Sequence, residues 1–520
     1  GETNVAVGQN ALKANTTGDK NTALGYEALD TNTTADNNVG VGYRALTANT
    51  TGTANVAVGY AALDANTTAN ANTAVGNNVM TANTTGATNT AVGNYALGSN
   101  TTASNNVAVG NDALSQNTTG TRNIAVGSLT LDANTTASYN VAVGYSSLGA
   151  NTTGAENVAM GDNAGAANTT GDKNTALGTS SLASNTTADN NTGIGYAALN
   201  ANTTGTANTA VGKSALEATV SGGYNTAVGF SVLAANLAAD NTGMGYNALV
   251  ANTTGTNNVA VGNNALDSNT TGDANTAIGQ GSLASNTTVD NNTAVGKNSL
   301  NANTTGTSNT AVGYAALTVN VTGVNNVAVG GSALSAVLND GNTAVGLSAG
   351  SGISTGQYNT TVGLVSMTAA TYTGSYNSCI GYNANPSAAD SAGQFTLGDA
   401  NISNLRCNDT SISALSDERD KTDIINSPYG LDFINTIQPR QFKWETRDGN
   451  AKDGSTRVGF IAQELLIACD GNNAVLDLVL DDNPDKLEAK YSNLVPIMAK
   501  AIQELSAKVE VLEKQLNNKE

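Results

Sequence analysis

The chain has 520 residues, a formal net charge of −19, only 4% aromatic residues and no histidine. Nucleic acids and anionic membranes bind clustered lysine and arginine, and no such cluster occurs in this sequence, so neither is expected as a partner. Three widely spaced cysteines without histidine exclude a Cys/His metal site, and no apolar run reaches the roughly 18 residues of a membrane-spanning helix. We therefore expect no cofactor, no metal ion and no membrane insertion.

The first part of the chain is an array of short repeats. A five-residue motif, usually Asn-x-(Ala/Gly)-aliphatic-Gly, begins at Asn4, Asn21, Asn38 and Asn55, so it recurs at every seventeenth position. Such regular self-similarity is typical of proteins in which each repeat is one supersecondary element that buries its apolar face against its neighbours. We predict that residues 1–385 form one array of this kind.

Each repeat predicts two short strands and two turns. In the consensus N-T-A-V-G-Y-x-A-L-x-A-N-T-T-G-x-x, the fourth position (Val) and the ninth (Leu) are the large apolar anchors, and the fifth (Gly) ends the first strand. The Ala-Leu stretch predicts a second strand, and Asn-Thr-Thr-Gly predicts a corner because Asn and Gly tolerate positive φ. Stacked repeats then form a mostly β fold, a parallel β-solenoid or β-roll, in which equivalent Asn side chains bond one another along the axis.

The repeat resembles the head repeats of trimeric autotransporter adhesins of the YadA type. Residues 55–59, Asn-Val-Ala-Val-Gly, carry the resemblance best. It implies a homotrimer of parallel β-rolls. It also makes a bacterial surface adhesin stalk one alternative for the function.

Three chemical interpretations of the repeat compete with a structural or receptor-binding rod. They are glycosylation at Asn-Thr-Thr, ice binding by threonine rows, and glycan hydrolysis by a pair of carboxylates. Adjacent threonines point to opposite faces of a strand, and no acidic pair is distinguished among near-identical repeats. A rod without activity on an external substrate is favoured, and a glycan-degrading tailspike is kept as the alternative.

Residues 386–415 are predicted to be a connector. Residues 416–520 are richer in charged residues, as in an ordinary globular domain, and residues 416–491 are predicted to form a small α+β domain. Its motifs resemble the intramolecular chaperone domain of phage endosialidases, tailspikes and tail fibres, the peptidase S74 family. The resemblance lies in 416–421 (Ser-Asp-Glu-Arg-Asp-Lys), 430–434 (Gly-Leu-Asp-Phe-Ile), Trp444, 459–464 (Gly-Phe-Ile-Ala-Gln-Glu) and 491–496 (Tyr-Ser-Asn-Leu-Val-Pro).

This resemblance implies that the chain is a self-cleaving serine endopeptidase that cuts between Leu415 and Ser416. Ser416 is then the nucleophile and Lys421 its general base, because serine alone attacks weakly and a lysine base must lose its proton, which burial favours. A single turnover suffices, since the chain holds its own substrate. The alternative is that Ser416 caps a turn and Lys421 is a solvated charge. The residues that match supporting positions of the motif are Asp417, Arg419, Gln463 and Glu464.

The last segment, residues 492–520, is predicted to be a coiled-coil helix. Its apolar residues alternate at spacings of three and four, which defines the two core positions of a heptad repeat. We expect this seam to trimerise the chain, whereas the alternative is an amphipathic helix that packs on its own domain. The seam residues are Val495, Met498, Ile502, Leu505, Val509, Leu512 and Leu516.

These expectations describe a viral tail-fibre subunit, made in the host cytoplasm and located in the virion. Its C-terminal domain directs trimer assembly and is then cleaved off. The expected partners are two further copies of the chain, other tail or baseplate proteins, and a host-surface receptor that is a glycan or an outer-membrane component.

Overall fold

The computed structural model describes residues 1–369, 371–399, 401–402, 405–406, 416–443, 456–485 and 487–519. The fold is mostly β and has two compact units, Gly1–Ser332 and Ala333–Glu520. The predicted fold class is confirmed, because a parallel β-solenoid with one repeat in each coil precedes a small C-terminal region that ends in a long helix.

The first unit consists of 20 three-residue strands, one in each coil. Neighbouring strands pair in parallel at an offset of one repeat, so that Val5 lies opposite Thr22 and Val56 opposite Thr73. The strands are β1 Val5–Val7, β2 Thr22–Leu24, β3 Val39–Val41, β4 Val56–Val58, β5 Thr73–Val75, β6 Thr90–Val92, β7 Val107–Val109, β8 Ile124–Val126, β9 Val141–Val143, β10 Val158–Met160, β11 Thr175–Leu177, β12 Thr192–Ile194, β13 Thr209–Val211, β14 Thr226–Val228, β15 Thr242–Met244, β16 Val259–Val261, β17 Thr276–Ile278, β18 Thr293–Val295, β19 Thr310–Val312 and β20 Val327–Val329.

The second unit opens with four more strands of the same kind: β21 Thr343–Val345, β22 Thr360–Val362, β23 Ser378–Ile380 and β24 Phe395–Leu397. The sequence predicted that the array ends at residue 385. Strand β24 nevertheless pairs in parallel with β23, with Phe395 opposite Ser378. The solenoid therefore includes one coil whose strand lies within the predicted connector, 386–415.

The inside of each coil is narrower than the sequence pattern predicted. The middle residue of strands β2–β20, always Ala or Gly, is buried, whereas the aliphatic residue after it faces outward, and Leu24 is 46% exposed. The prediction that the fourth repeat position is a core anchor is therefore wrong. Leucine at the ninth position is confirmed as an anchor, since Leu29 and Leu46 are fully buried. Alternate residues of a strand face opposite sides, and only small residues fit the side that faces the narrow interior.

The predicted second strand of each repeat is also wrong. In residues 1–369 the Ala-Leu segment forms turns, and the leucine adopts a left-handed backbone, with φ of 53° at Leu29. Backbone hydrogen bonds to the next coil hold this conformation, as from Leu29 N to Ala45 O at 3.0 Å. A coil made from a single repeat reverses direction several times, which leaves room for only one short strand.

Rows of buried asparagine stabilise the stack, as the sequence predicted. Asn38 donates from Nδ2 to the carbonyl oxygen of Gly52 at 2.8 Å, and its Oδ1 accepts from Asn55 N at 2.9 Å. Glycine at the fifth position is required for a different reason. Gly42 has φ of +133°, and a Cβ there would lie 2.2 Å from the carbonyl oxygen of Gly59 in the next coil.

The C-terminal region, residues 416–520, folds around one small core. Its buried residues are Ile437, Leu465, Cys469, Leu476, Leu478, Val479, Leu494 and Ile497. No helix among the described residues combines the length and apolarity needed to span a bilayer. The elements are a 3₁₀ turn at Glu418–Asp420, α1 Leu431–Ile434, β25 Arg440–Lys443, β26 Thr456–Gly459, α2 Ala462–Ala468, α3 Asn473–Leu476, β27 Val479–Leu480, β28 Glu488–Ala489, a 3₁₀ turn at Tyr491–Asn493 and α4 Leu494–Asn517.

Candidate active site

A single helical turn brings Ser416 and Lys421 together. Asp417 begins the 3₁₀ turn, and its carboxylate accepts a hydrogen bond from Arg419 N at 2.9 Å. Lys421 ends the turn, and its Nζ donates to Ser416 Oγ at 2.5 Å and to the Ser416 carbonyl oxygen at 3.4 Å. The hydroxyl and the amine that the sequence paired are therefore in direct contact.

Asp417 and Arg419 brace this turn. The guanidinium of Arg419 donates from Nε to Asp417 Oδ1 at 3.0 Å and from Nη2 to Oδ2 at 2.6 Å. These side-chain bonds and the backbone bond from Arg419 lower the pKa of the Asp417 carboxyl below its ordinary value. The two side chains therefore bond each other within the turn that lies between Ser416 and Lys421, and their supporting role stays a prediction.

The site is open to solvent in the single chain. Residues 416–428 are all exposed, including Ile424 and Ile425 at 64% and 82%. Leu415, on the other side of the predicted scissile bond, lies outside the described residues, as does Trp444. A serine–lysine nucleophile requires a hydroxyl in contact with an amine, which this turn has, and burial that favours the neutral amine, which residues 416–428 lack because all of them are exposed.

The other two predicted supporting residues lie on α2. Glu464 accepts from Arg440 of β25 through two bonds of 2.8 Å, and Arg440 lowers the pKa of the Glu464 carboxyl. Gln463 is exposed on the same helix. Sequence reasoning missed Arg440, because a partner on a separate element, far away along the chain, leaves no local pattern. The pair joins the β25–β26 hairpin to α2 and makes no hydrogen bond to Ser416 or Lys421.

With this geometry in view, the comparisons with known proteins identify the C-terminal region. Residues 416–471 match the peptidase S74 family, the chaperone of endosialidase. The matched segment begins at Ser416, the residue whose hydroxyl contacts Lys421. Neither the curated proteins nor the solved structures contain a match to the chain.

The family match and the parallel β-solenoid fit a tail fibre or tailspike that carries a C-terminal chaperone domain. The match implies self-cleaving peptidase activity in general, and it indicates assembly and autoprocessing of the kind found in tail fibres and tailspikes. We refer to residues 416–520 as the chaperone region. In the described residues, no group of three or more Cys, Asp or Glu side chains is placed to hold a metal ion.

Helix α4 of the chaperone region has two different faces. Leu494, Ile497 and Ala501 are buried against the core, and Glu504 accepts a hydrogen bond from Leu431 N at 2.8 Å. That backbone bond lowers the pKa of the Glu504 carboxyl. Helix α4 therefore contacts its own region through residues that are not members of the predicted seam.

The seam residues remain exposed. Their exposed fractions run from 44% at Val509 to 66% at Leu516. Helix α4 thus packs on its own region, as the alternative proposed, but through other residues, and trimerisation through the seam stays a prediction. The seam comprises Val495, Met498, Ile502, Leu505, Val509, Leu512 and Leu516, all of which lie on α4.

A second exposed apolar surface runs along the length of the solenoid. The third residue of every strand from β1 to β20 is Val, Leu, Ile or Met, and none of these residues is buried. We call them the aliphatic row. Met160 is 50% exposed and Met244 is 46% exposed, and no charged residue occurs in any of these strands although the chain carries a net charge of −19.

Proposed function

We propose that the chain is a subunit of a homotrimeric viral tail fibre, and that its chaperone region directs trimer assembly and then cleaves itself off between Leu415 and Ser416. The contact of 2.5 Å between Lys421 Nζ and Ser416 Oγ, at the first residue of the matched segment, carries this proposal. The role in the virion and the binding of a host receptor belong to the same proposal.

The chemistry follows from the two side chains and the bond before them. Lys421 Nζ, once neutral, takes the proton of Ser416 Oγ while that oxygen attacks the carbonyl carbon of Leu415. The new O–C bond replaces the C–N bond to Ser416, and the proton passes to the released nitrogen. Water then hydrolyses the resulting ester, which leaves a carboxylate on Leu415 and a free α-amine on Ser416.

In this proposal, trimer assembly excludes water from Ser416 and Lys421. Residues 416–428 are exposed, so a neutral amine requires that further protein surface exclude water from the site. Ile424 and Ile425, exposed directly after Lys421, are apolar groups that a neighbouring subunit would cover. In this proposal the trimer forms first and the cut follows, so an unassembled chain keeps its chaperone region.

The seam of α4 supports a trimer with one fixed register. Seven exposed apolar residues at heptad spacing are stabilised when they pack against the same face of another copy. Near-identical coils leave neighbouring chains free to pair one repeat out of step, whereas pairing of α4 starts every chain from the same residue. Zippering of the solenoids can then proceed from that end.

The aliphatic row supports contact between solenoids in the same trimer. A row without charge, on a chain of high net charge, matches an identical row better than it matches a charged partner. Each apolar side chain covered there adds roughly 25 cal/mol for each Å² removed from water. The proposal therefore has two subunit contacts, one along the rods and one along α4.

Cleavage is tested with the purified full-length chain on a denaturing gel. We expect wild type to yield a fragment whose amino terminus reads Ser-Asp-Glu-Arg, whereas Ser416→Ala and Lys421→Met leave the 51.9 kDa chain intact. The matched controls Ser427→Ala and Lys443→Met replace exposed residues of the same region and should be cut normally. Cutting of Ser416→Ala before residue 416 would exclude the proposed nucleophile.

Receptor binding by the rod is tested with a glycan array probed with the cleaved protein, together with an assay for released reducing ends. Binding without release supports the receptor-binding fibre. Release of reducing ends instead supports the glycan-degrading tailspike, and an absence of both favours a structural shaft or an adhesin stalk.

A further inference from the structure

The amide at the start of each strand is satisfied by the coil that follows. Asn359 Nδ2 donates to the carbonyl oxygen of Gly374 at 3.1 Å, and Asn377 Nδ2 donates to that of Ser391 at 2.7 Å. The side-chain oxygen of Asn377 in turn accepts from Gln394 N at 3.0 Å. Each coil thus depends on its successor to complete its buried hydrogen bonds.

The coil of β24 has no successor among the described residues, and its sequence differs from the consensus. Gln394 occupies the position of the usual asparagine, and the corner before it contains Ser387 and Ser391 in place of Asn-Thr-Thr-Gly. Gln394 Nε2 donates to Ser387 Oγ at 2.6 Å and to Asp482 Oδ2 at 2.9 Å. The acceptor that a further coil would supply is therefore supplied by the chaperone region.

Asp482 collects three donors from this corner. Besides Gln394, Ser387 Oγ lies at 2.5 Å and Ser391 Oγ at 2.7 Å from the same oxygen of Asp482. The neighbouring Asn483 donates from Nδ2 to the Ser387 carbonyl oxygen at 2.8 Å. Burial acts to raise the pKa of the Asp482 carboxyl, but these side-chain bonds outweigh it and the pKa lies below its ordinary value.

We propose that the loop between β27 and β28 is the end cap of the solenoid, in which Asp482 and Asn483 take the place of a following coil. The last strand of a parallel stack exposes unpaired polar groups and needs such a cover. Hydrogen bonds to a carboxylate are stronger than neutral ones, which suits a cap made of few residues. The cap attaches the chaperone region to the rod independently of the peptide chain between them.

One consequence rests on the proposed function. After the chain is cut before Ser416, the cap keeps the chaperone region bound to the β24 coil, so cleavage and release are separate events. A rod that lost its chaperone region would expose the amide of Gln394 and the hydroxyls of Ser387 and Ser391.

The cap is tested without cleavage, by hydrogen exchange and mass spectrometry on the full-length Ser416→Ala chain. Asp482→Ala should speed amide exchange in peptides that cover residues 374–398 by about tenfold or more, while coils further back are unchanged. The matched control Asp470→Asn replaces another exposed acid of the chaperone region and should change nothing there. Equal exchange at 374–398 in the Ser416→Ala chain with and without Asp482→Ala would overturn the cap.

A second variant, in the rod, tests the cap without changing any residue of the chaperone region, so misfolding of that region cannot explain its effect. The double substitution Ser391→Ala with Gln394→Met removes two donors and leaves the loop at Asp482 intact, and it should weaken the same attachment. In the cleaving chain, size-exclusion chromatography should show fragment 416–520 eluting with the wild-type rod and separately from the rod of either variant. Co-elution in both variants contradicts the cap, whereas an uncut wild-type chain contradicts the proposed function and leaves the exchange result to decide on the cap.

Discussion

Replacing Asn38 by alanine tests whether the buried asparagine row stabilises the rod. Asn38 is fully buried, its Nδ2 donates to the Gly52 carbonyl oxygen, and its Oδ1 accepts from Asn55 N and from Asn55 Nδ2, the latter of which has a second acceptor in the Ala69 carbonyl oxygen. The Gly52 carbonyl oxygen keeps a second donor, Asn49 Nδ2 at 2.9 Å. Losing the bond from Asn38 therefore costs only what one ordinary hydrogen bond contributes, about 0.5–1.5 kcal/mol. Asn55 N loses its acceptor and remains buried, which costs about 1–3 kcal/mol.

The losses at the Gly52 carbonyl oxygen and at Asn55 N sum to about 1.5–4.5 kcal/mol of local stability. In a stacked repeat protein this loss falls mainly on the coils adjacent to Asn38, so local amide exchange measures it better than a melting curve of the whole rod. We expect amides between about residues 38 and 72 to exchange faster by the corresponding factor. Asn77→Ala, at an exposed position, is the control and should change stability by less than about 0.5 kcal/mol. Equal effects of the two substitutions would refute the argument.

Three further predictions concern the subunit contacts and the chaperone region. Val509→Asp places a charge in the exposed seam of α4 and should lower the trimer fraction in analytical ultracentrifugation by tenfold or more, since burial of an unpaired carboxylate costs several kcal/mol. Met160→Asp in the aliphatic row should let the rods separate once the cleaved chaperone region has been released, as seen by small-angle scattering. Because Arg440 lowers the pKa of Glu464, their pair stabilises the folded state at neutral pH and is lost as the pH falls through the lowered pKa, below the ordinary value of 4.5. The melting temperature of the chaperone region should therefore drop below about pH 4.5 in wild type, with a smaller drop in Arg440→Met.

Each of these predictions has a matched comparison. Val511 is 53% exposed on α4 but is not a seam residue, so Val511→Asp should leave the trimer intact. Tyr145 is exposed but lies two residues after β9, outside the aliphatic row, so Tyr145→Asp should not separate the rods. An identical acid response of wild type and Arg440→Met would show that the Glu464 pair contributes nothing to the pH dependence.

The sequence alone predicted the features that depend on local periodicity. A nearly constant spacing of 17 residues between successive copies of the motif implies parallel stacking in one register, whatever the shape of a coil. Heptad spacing likewise predicts a continuous helix at the end of the chain, and Ser416 and Lys421 are close enough in sequence that one turn brings them into contact. The functional roles of these two residues and the trimer stay predictions until the experiments above are done.

Tertiary structure decided which side of each strand faces inward and which distant groups meet. Because successive side chains of a strand point to opposite faces, the sequence predicts that Thr22 and Leu24 share a face. That the inward face is instead the one with Ala23 depends on the narrow interior of the coil, which only the tertiary structure reveals. Gln394 and Asp482 are 88 positions apart, and their contact exists because the solenoid ends where the β27–β28 loop begins to cover it. A repeating pattern records interactions between equivalent residues of neighbouring repeats. It carries no information about the coil of β24, which lacks a successor among the described residues and is completed by a residue from elsewhere in the chain.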